Sequence, residues 1–403
     1  MIGLAARLLP YALAFFSSLC IMILELVASR LVARHVGASL IVWTSVIGIM
    51  LGGICLGNVL GGRLADRVEP RRVLGPLYAM GSVLTLGCLW VNSVVGMLPG
   101  LDYLPWNLRT VLVVTLDFLV PGTVLGMIGP VVAKMAVEQS TKSGSAIGDV
   151  YFMGAVGSIV GTFIAGFYLI YLAPTSTIVI VVAAALALLA AALMGDLPGL
   201  LLGLGAAVLL GLGSVEPMTG KLAAGGITIG SVRINAWALG GHALALALAA
   251  WGLLRLKQAR SLLEIEPETD QPHAAAAAGG GFQKAAGSRV GVDLRDLAAL
   301  SFVASLAFMS LEMVAGRMVQ RHLGSSVYGW TSVIGVLLGG LSLGNYLGGK
   351  VADFVRDEKQ ASWLFLAASV LTLVVLVLET PPAVLVRNPY GHFVQHKAAD
   401  PLL

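Results

Sequence analysis

The sequence predicts an all-α fold, a polytopic membrane bundle of about eleven transmembrane helices, each needing roughly 20 apolar residues to cross a bilayer. Two observations support this prediction. Hydrophobic residues make up 58% of the chain and charged residues only 11%, whereas a soluble domain has about 25% charged residues. In addition, one three-helix segment occurs twice. So little polar surface cannot cover an apolar core in water, and we expect a multi-pass protein of the cell (inner) membrane.

Apolar stretches close to span length follow one another along the chain. They lie at 10–34, 41–65, 72–96, 109–137, 146–172, 175–195, 197–214, 236–255, 296–321, 327–352 and 361–380. The first stretch continues through Glu25 to Arg30 without a small-residue cleavage site. We therefore expect a retained helix and not a signal peptide. The seventh stretch is short and contains Pro198.

Less apolar segments separate the helices in the second half of the chain. Ile227 and Ile229 alternate with small residues, which predicts a short extramembrane hairpin within 215–235. Residues 256–294 combine clustered glutamates with alanine and glycine runs and predict a flexible linker. The linker is assigned to the cytoplasm because the positive-inside rule places the arginine-rich loop at 63–72 on that side.

An internal repeat organises the chain. Residues 24–66 align with residues 311–353 at a constant offset of 287, and 27 of the 43 aligned positions are identical. Residues 82–86 align with 369–373 at the same offset, so the repeated unit is three helices long. Each helix lies an even number of spans before its copy, which makes the repeat parallel.

These features divide the chain into five parts. They are a six-helix unit (1–195), two additional helices with an extramembrane loop (196–255), the linker (256–294), the second copy of the three-helix unit (295–380) and a tail (381–403).

Several classes of site are disfavoured by composition. Cys20, Cys55 and Cys88 lie in apolar segments without paired spacing, which favours core positions over a metal site or a disulfide framework. The net charge of +4 comes from basic residues between apolar stretches, which we interpret as topology determinants and not as a nucleic-acid surface. We expect no cofactor and no metal.

Glycines recur every fourth residue on the second helix of each copy. They are Gly53, Gly57 and Gly61 in the first copy and Gly340, Gly344 and Gly348 in the second. Small residues at this spacing let helix backbones approach closely in a membrane. Tight packing and a sliding surface for conformational change are both open interpretations.

Glu25 and Glu312 are equivalent acids near the middle of a predicted span, where an unpaired charge costs at least a few kcal/mol. Arg30 and Arg317 lie five positions later, about 140° around the helix, so neither can form an i,i+4 pair with its glutamate. The arginines remain gating or ion-pair candidates. The glutamates are either structural acids satisfied by a neighbouring helix or proton-coupling and cation-binding groups.

Asp117 is a third acid inside a predicted span, on a helix that also contains Pro121 and Pro130. Broken helices often line a cavity in transporters, but proline kinks also occur without one. Asp117 is therefore a third substrate-binding or proton-coupling candidate. Its helix either lines a cavity or is kinked without one, and both interpretations remain open.

Basic pairs close the first helix of each copy. They are Arg34-His35 and Arg321-His322. One interpretation is anchoring at the membrane interface, and the other is gating of a cavity mouth by histidines that titrate near neutral pH.

The loop after the second helix resembles a signature of the major facilitator superfamily. It reads Gly-Arg-Leu-Ala-Asp-Arg at 62–67, with Asp66 and Arg67 as ion-pair candidates. The match departs at Glu69-Pro70, where that family has a single glycine. The second copy keeps Asp353 but has Phe354 in place of the arginine. Ion pairs at such a helix end can hold one conformation shut.

Together these motifs resemble the membrane portion of fused facilitator/spermidine-synthase proteins. The resemblance covers roughly 10–195 and 300–380, and includes Gly-Asp-Val-Tyr at 148–151 followed by a glycine-rich run at 154–161. In that family the membrane portion precedes a soluble aminopropyltransferase domain. No nucleotide-binding loop occurs here, so the resemblance transfers no catalytic residue.

Two function hypotheses follow from the repeat and the resemblance. The first is a facilitator-like protein that moves or binds a small, polyamine-like cation through the three acids. The second is a membrane scaffold for a separate synthase-like soluble subunit that transports nothing. A homodimer is a further expected assembly. We do not expect an enzyme.

Overall fold

Helices dominate the computed structural model. It describes residues 2–95, 98, 100–219, 226–229, 232–265, 294–323, 327–352, 363 and 366–374. The elements are α1 (Ile2–Val36), α2 (Leu40–Arg67), α3 (Pro70–Val95), a 3-10 turn (Leu101–Tyr103), α4 (Trp106–Glu138), α5 (Ser143–Phe163), a π-helix (Ile164–Leu169), α6 (Ile170–Leu172), α7 (Thr175–Met194), α8 (Leu197–Thr219), β1 (Gly226–Ile229), β2 (Val232–Asn235), α9 (Ala236–Ile265), α10 (Leu294–Leu323) and α11 (Val327–Ala352).

Within the described residues, nine helical segments are long and apolar enough to cross a membrane. This finding confirms the predicted all-α, polytopic membrane bundle. The predicted seventh span corresponds to α8, whose apolar part, Leu197–Leu212, is shorter than a full span. Of the predicted eleventh span, residues 363 and 366–374 are described, and they are helical.

The predicted hairpin is present. β1 and β2 pair antiparallel, with Gly226 opposite Asn235 and Ile229 opposite Val232. Helix α9 follows directly and continues to Ile265, ten residues past the predicted end of its span at 255. The rest of the predicted linker, 266–293, lies outside the described residues.

The chain forms two compact units. The first contains residues 1–287 and 292–353, and the second contains residues 288–291 and 354–403. The core of the first unit includes α1, α3, α4 and α7, with Tyr78 and Phe118 fully buried. The Tyr78 hydroxyl donates a hydrogen bond to the carbonyl of Leu13 at 3.0 Å, which ties α3 to α1 inside the core.

Close backbone contact joins α2 to α4. A Cβ added at Gly53 would lie 2.9 Å from the carbonyl oxygen of Leu119, and one added at Gly126 would lie 2.7 Å from the Cα of Ile54. Any larger side chain at these positions would force the helices apart. In the first copy, the predicted glycine stripe therefore serves tight helix packing.

The π-helix at Ile164–Leu169 lies at the end of α5, the helix that carries most of the contact with the second copy. Gly148 of α5 faces Gly349 of α11 closely enough that a Cβ at either position would overlap the other residue. Ser342 donates a hydrogen bond to the carbonyl of Phe152 at 3.3 Å. Single-turn π segments within helices are uncommon and often mark functional sites.

Candidate functional site

The two equivalent glutamates of the repeat come together. Glu25 on α1 and Glu312 on α10 are both half-buried, and their carboxyl groups are close enough for their charges to interact. Among the described residues, no basic side chain lies within 4 Å of either carboxylate. The pair therefore places two carboxyl groups near each other without a basic partner in that part of the chain.

A second equivalent pair lies between the same two copies. Trp43 of α2 and Trp330 of α11 stack with ring centroids 6.2 Å apart and ring planes 13° apart. Trp330 is buried and packs on Gly316 of α10, where an added Cβ would overlap its ring. Gly316 lies four residues after Glu312, and residues four apart share a helix face. The Trp330 ring is therefore about one helical turn from Glu312.

Both pairs indicate the symmetry of the site. A residue meets its own repeat equivalent only near the axis that relates the two copies. For a parallel repeat in a membrane protein, that axis runs along the membrane normal. Glu25 with Glu312, and Trp43 with Trp330, therefore mark a pseudo-two-fold axis between the two copies.

The arginine candidates lie beside this axis and leave the glutamates unpaired. Arg30 is exposed, and its Nη1 donates to the carbonyl of Ile170 at 3.4 Å, directly after the π-helix. Arg317 is exposed and lines a cavity of about 470 Å³. The other lining residues are Ile41, Thr44, Ser45, Gly48, Ile49 and Val111. This cavity is open, and it is lined by residues of α2, α4 and α10.

Asp117 lies in a different part of the bundle from the glutamate pair. It is 1% exposed, and its Oδ2 accepts a hydrogen bond of 2.7 Å from Nδ2 of Asn92. The Asn92 Oδ1 in turn lies 3.2 Å from Nε2 of His35. Asp117 Oδ1 is buried and has no hydrogen-bond partner among the described residues. Asp117 is therefore part of a polar chain between α1, α3 and α4, and the structure does not bring it to the glutamate pair.

The basic pairs at the helix ends are only partly described. Arg34 is exposed in the last turn of α1, which ends before Gly37 at a φ of 78°. Arg321 and His322 lie in the last turn of α10, and their side chains are outside the described set. The His35 contact with Asn92 links this helix end to the buried network and not to the glutamates.

At the other end of α2, Asp66 faces Lys134 of α4, which was not among the predicted site residues. Lys134 Nζ of α4 lies 3.8 Å from Asp66 Oδ1 and donates to the carbonyl of Ala65 at 2.6 Å. Arg67 is exposed and lines a separate cavity of about 440 Å³. Asp353 lies outside the described residues.

Four residues of these contacts are not among the site residues predicted from the sequence. Trp43 and Trp330 carried a signal, because they are identical across the repeat. Asn92 and Lys134 carried none, because their roles depend on which helices become neighbours.

Among the described residues, no group of three or more histidines, cysteines or acids could hold a metal ion. No family model matches this chain, and no curated protein and no solved structure matches it either.

Proposed function

We propose that this multi-pass membrane protein binds and moves a small organic cation, with Glu25 and Glu312 as its two carboxylate ligands. One observation carries the proposal, the meeting of two repeat-equivalent acids without a basic partner among the described residues. The resemblance to the facilitator/spermidine-synthase family supports a polyamine-like cation in the cell (inner) membrane.

The chemistry of the pair suits a cation better than any other solute. Two nearby carboxylates repel each other when both are ionised, and a bound cation relieves that repulsion. An amine can donate hydrogen bonds to both acids at once, and hydrogen bonds to charged groups contribute about 1.5–3 kcal/mol each. The neighbouring tryptophan rings add a surface on which a cation or its alkyl chain can rest.

The site also suits movement of the cation. It lies between two copies of one structural unit, which is where transporters built from repeats place their substrate. A change in the relation between the copies would alter access to the glutamates from each side. The π-helix lies next to the Arg30 contact and interrupts the regular hydrogen bonding at the end of α5. Such an interruption is a point at which the helix could bend when the two copies move.

Uptake of radiolabelled spermidine into proteoliposomes tests the proposal. We expect uptake by the unaltered protein and at least a tenfold loss for Glu25→Gln and for Glu312→Gln. Glu138→Gln is the matched control, because Glu138 is an exposed acid at the end of α4 and should retain uptake. Absence of both uptake and binding by the unaltered protein would reject the proposal. It would favour the competing hypothesis of a non-transporting scaffold for a soluble synthase-like subunit.

A further inference from the structure

The start of α3, the end of α7 and the outer part of α9 surround a cavity of about 480 Å³. Helix α3 begins at Pro70, within the 63–72 segment that the positive-inside rule assigns to the cytoplasm. The cavity therefore lies on the cytoplasmic side of the membrane. Its outer part is lined by Arg71, Arg72 and Arg255, and none of its lining residues belongs to the glutamate site.

Helix packing fixes the shape of the inner part of this cavity. Gly75 and Gly252 line it about one helical turn deeper than the arginines. A Cβ added at Gly252 would lie 3.1 Å from the Cα of Pro76, and one added at Gly75 would lie 2.9 Å from the Cγ of Met194. The three helices are therefore in close contact below the arginines, and this contact sets the distance between α3 and α9.

Arg255 is held in place by other residues of the chain. Its Nη1 lies 3.1 Å from Oδ1 of Asp196 and donates to the carbonyl of Met194 at 3.4 Å. Trp251 Nε1 donates to the other carboxylate oxygen of Asp196 at 2.7 Å. A guanidinium has five N–H donors, more than these two contacts require. Arg255 is therefore positioned in advance and keeps donors for a ligand.

Arg71 brings an unpaired charge to the same cavity. Arg72 pairs through Nε with Oε2 of Glu69 at 2.9 Å, the acid that lines the cavity. Arg71 is exposed, and among the described residues no acid lies within 4 Å of its guanidinium. The described part of the chain therefore leaves the positive charge of Arg71 without a counter-charge.

A second cavity of about 440 Å³ adjoins the first, because Leu256 lines both. Arg63 and Arg67 of α2 contribute to its lining, and within the described part of the chain no acid does. The rest of the lining is apolar and includes Leu60, which is 45% exposed and lies about one turn deeper in the membrane than Arg63. The two cavities thus place positive charge beside apolar surface.

We propose that the two adjoining cavities bind one anionic phospholipid of the cytoplasmic leaflet. Arg71 and Arg255 hold its phosphate, and an acyl chain lies along the apolar side of the second cavity. Arginine binds phosphate through charge-assisted, often bidentate hydrogen bonds. Basic pockets between transmembrane helices on the cytoplasmic side are a known place for anionic head groups. This proposal does not depend on the cation or on the two glutamates.

A role in membrane topology alone explains the sign of these charges but not their arrangement. The positive-inside rule requires basic residues in cytoplasmic loops, whereas here arginines of α3 and α9 line one cavity. A water-soluble phosphate compound could use the arginines, but it would leave the apolar side of the second cavity uncovered. A phospholipid satisfies both parts, because its phosphate lies at the membrane surface and its chains lie below.

The experiment is equilibrium binding of fluorescently labelled phosphatidylglycerol to the purified protein in an uncharged mild detergent. We expect a lower Kd than for labelled phosphatidylcholine, whose head group has no net charge. Arg71→Gln should raise the Kd for phosphatidylglycerol about fivefold or more, the factor that one basic residue contributes near an anionic surface. Because Arg71 has no ion pair in the described part of the chain, this variant should keep the Tm of the unaltered protein.

Lys257→Gln is the matched control for general surface charge. Lys257 is an exposed base on α9, two residues after Arg255, and it lines neither cavity. Its substitution should leave the Kd unchanged. An unchanged Kd for Arg71→Gln, or an equal rise for Lys257→Gln, would overturn the proposed site.

Competition separates a lipid from a water-soluble ligand. Unlabelled phosphatidylglycerol should displace the labelled lipid, whereas inorganic phosphate at millimolar concentration should not. Displacement by inorganic phosphate would overturn the assignment to a lipid and favour a water-soluble phosphate compound at the same arginines.

Discussion

Trp43 and Trp330 occupy the same position in the two copies of the repeat, and their indole rings stack 6.2 Å apart at an angle of 13°. The stack joins α2 to α11 at the axis between the copies. Glu25 and Glu312 meet at the same boundary, so this boundary holds two kinds of equivalent contact, one aromatic and one acidic. When both glutamates are ionised, the acidic contact opposes association of the copies, whereas the aromatic contact supports it.

Because the two contacts have opposite effects, removing the charge of Glu25 should change the thermal stability of the protein. Glu25→Gln eliminates repulsion with Glu312, so we expect a higher Tm than that of the unaltered protein in the absence of any cation. The same substitution removes a ligand, so spermidine should raise the Tm less than it does for the unaltered protein. Thermal unfolding in mild detergent, with and without spermidine, measures both effects. A lower Tm for Glu25→Gln without cation would indicate that the charge has a stabilising partner.

The tryptophan stack should contribute to stability as a pair. Stacked aromatic pairs contribute about 0.5–1.5 kcal/mol beyond the area they bury. A double-mutant cycle with Trp43→Ala and Trp330→Ala should therefore give a coupling energy in that range for the free energy of unfolding. Trp251 hydrogen-bonds to Asp196 at 2.7 Å, and the cycle of Trp43 with Trp251 is the control, with a coupling near zero.

Glycine at position 57 is required by the contact with α4. A Cβ there would overlap the carbonyl oxygen of Thr123, so Gly57→Ala should lower the free energy of unfolding by about 1–3 kcal/mol. Gly87→Ala on α3 is the matched control, because no atom of the described residues lies within 4 Å of its added Cβ. Chemical unfolding measures the free energy of unfolding of both variants. Equal values for Gly57→Ala and Gly87→Ala would contradict the prediction, because they would show that α2 and α4 can move apart at little cost.

The buried polar chain around Asp117 predicts a structural role for Asn92. Asn92→Ala removes the only described donor to Asp117 Oδ2 and the contact of His35. Leaving a buried acid without its hydrogen bond costs about 1–3 kcal/mol, and more for a charged group. Thr115→Ala on the same helix as Asp117 removes an exposed hydroxyl and should change little. Comparison of their unfolding free energies tests this role, and spermidine binding should persist in both variants.

The fold class could be predicted from the sequence because the patterns that indicate it extend over many residues. Runs of apolar residues define spans one by one, and the offset of 287 relates two helices that the structure then brings together. The hairpin at 226–235 was predictable because Ile227 and Ile229 alternate within a short polar break. The π-helix at Ile164–Leu169 was not predictable, because its residues are as apolar as those of the rest of α5.

The candidate site was predictable only in part, for a physical reason. The position of an acid in a span gives its depth in the membrane but not the helix that it faces. Glu25, Glu312 and Asp117 therefore looked alike in the sequence. The structure separates them, because Asp117 points to Asn92 on α3 while the glutamates meet at the repeat axis. Lys134 escaped notice for the same reason, since its contact with Asp66 depends on the packing of α4 against α2.

The most direct test of the cation site is equilibrium binding of labelled spermidine to the purified protein and to three variants, Glu25→Gln, Glu312→Gln and the double substitution. Each single substitution should raise the Kd roughly ten- to hundredfold, which corresponds to the 1.5–3 kcal/mol of one charged hydrogen bond. The double substitution should be less than additive, because both carboxylates bind one cation. Spermidine binding with unchanged Kd in both single variants would contradict the account.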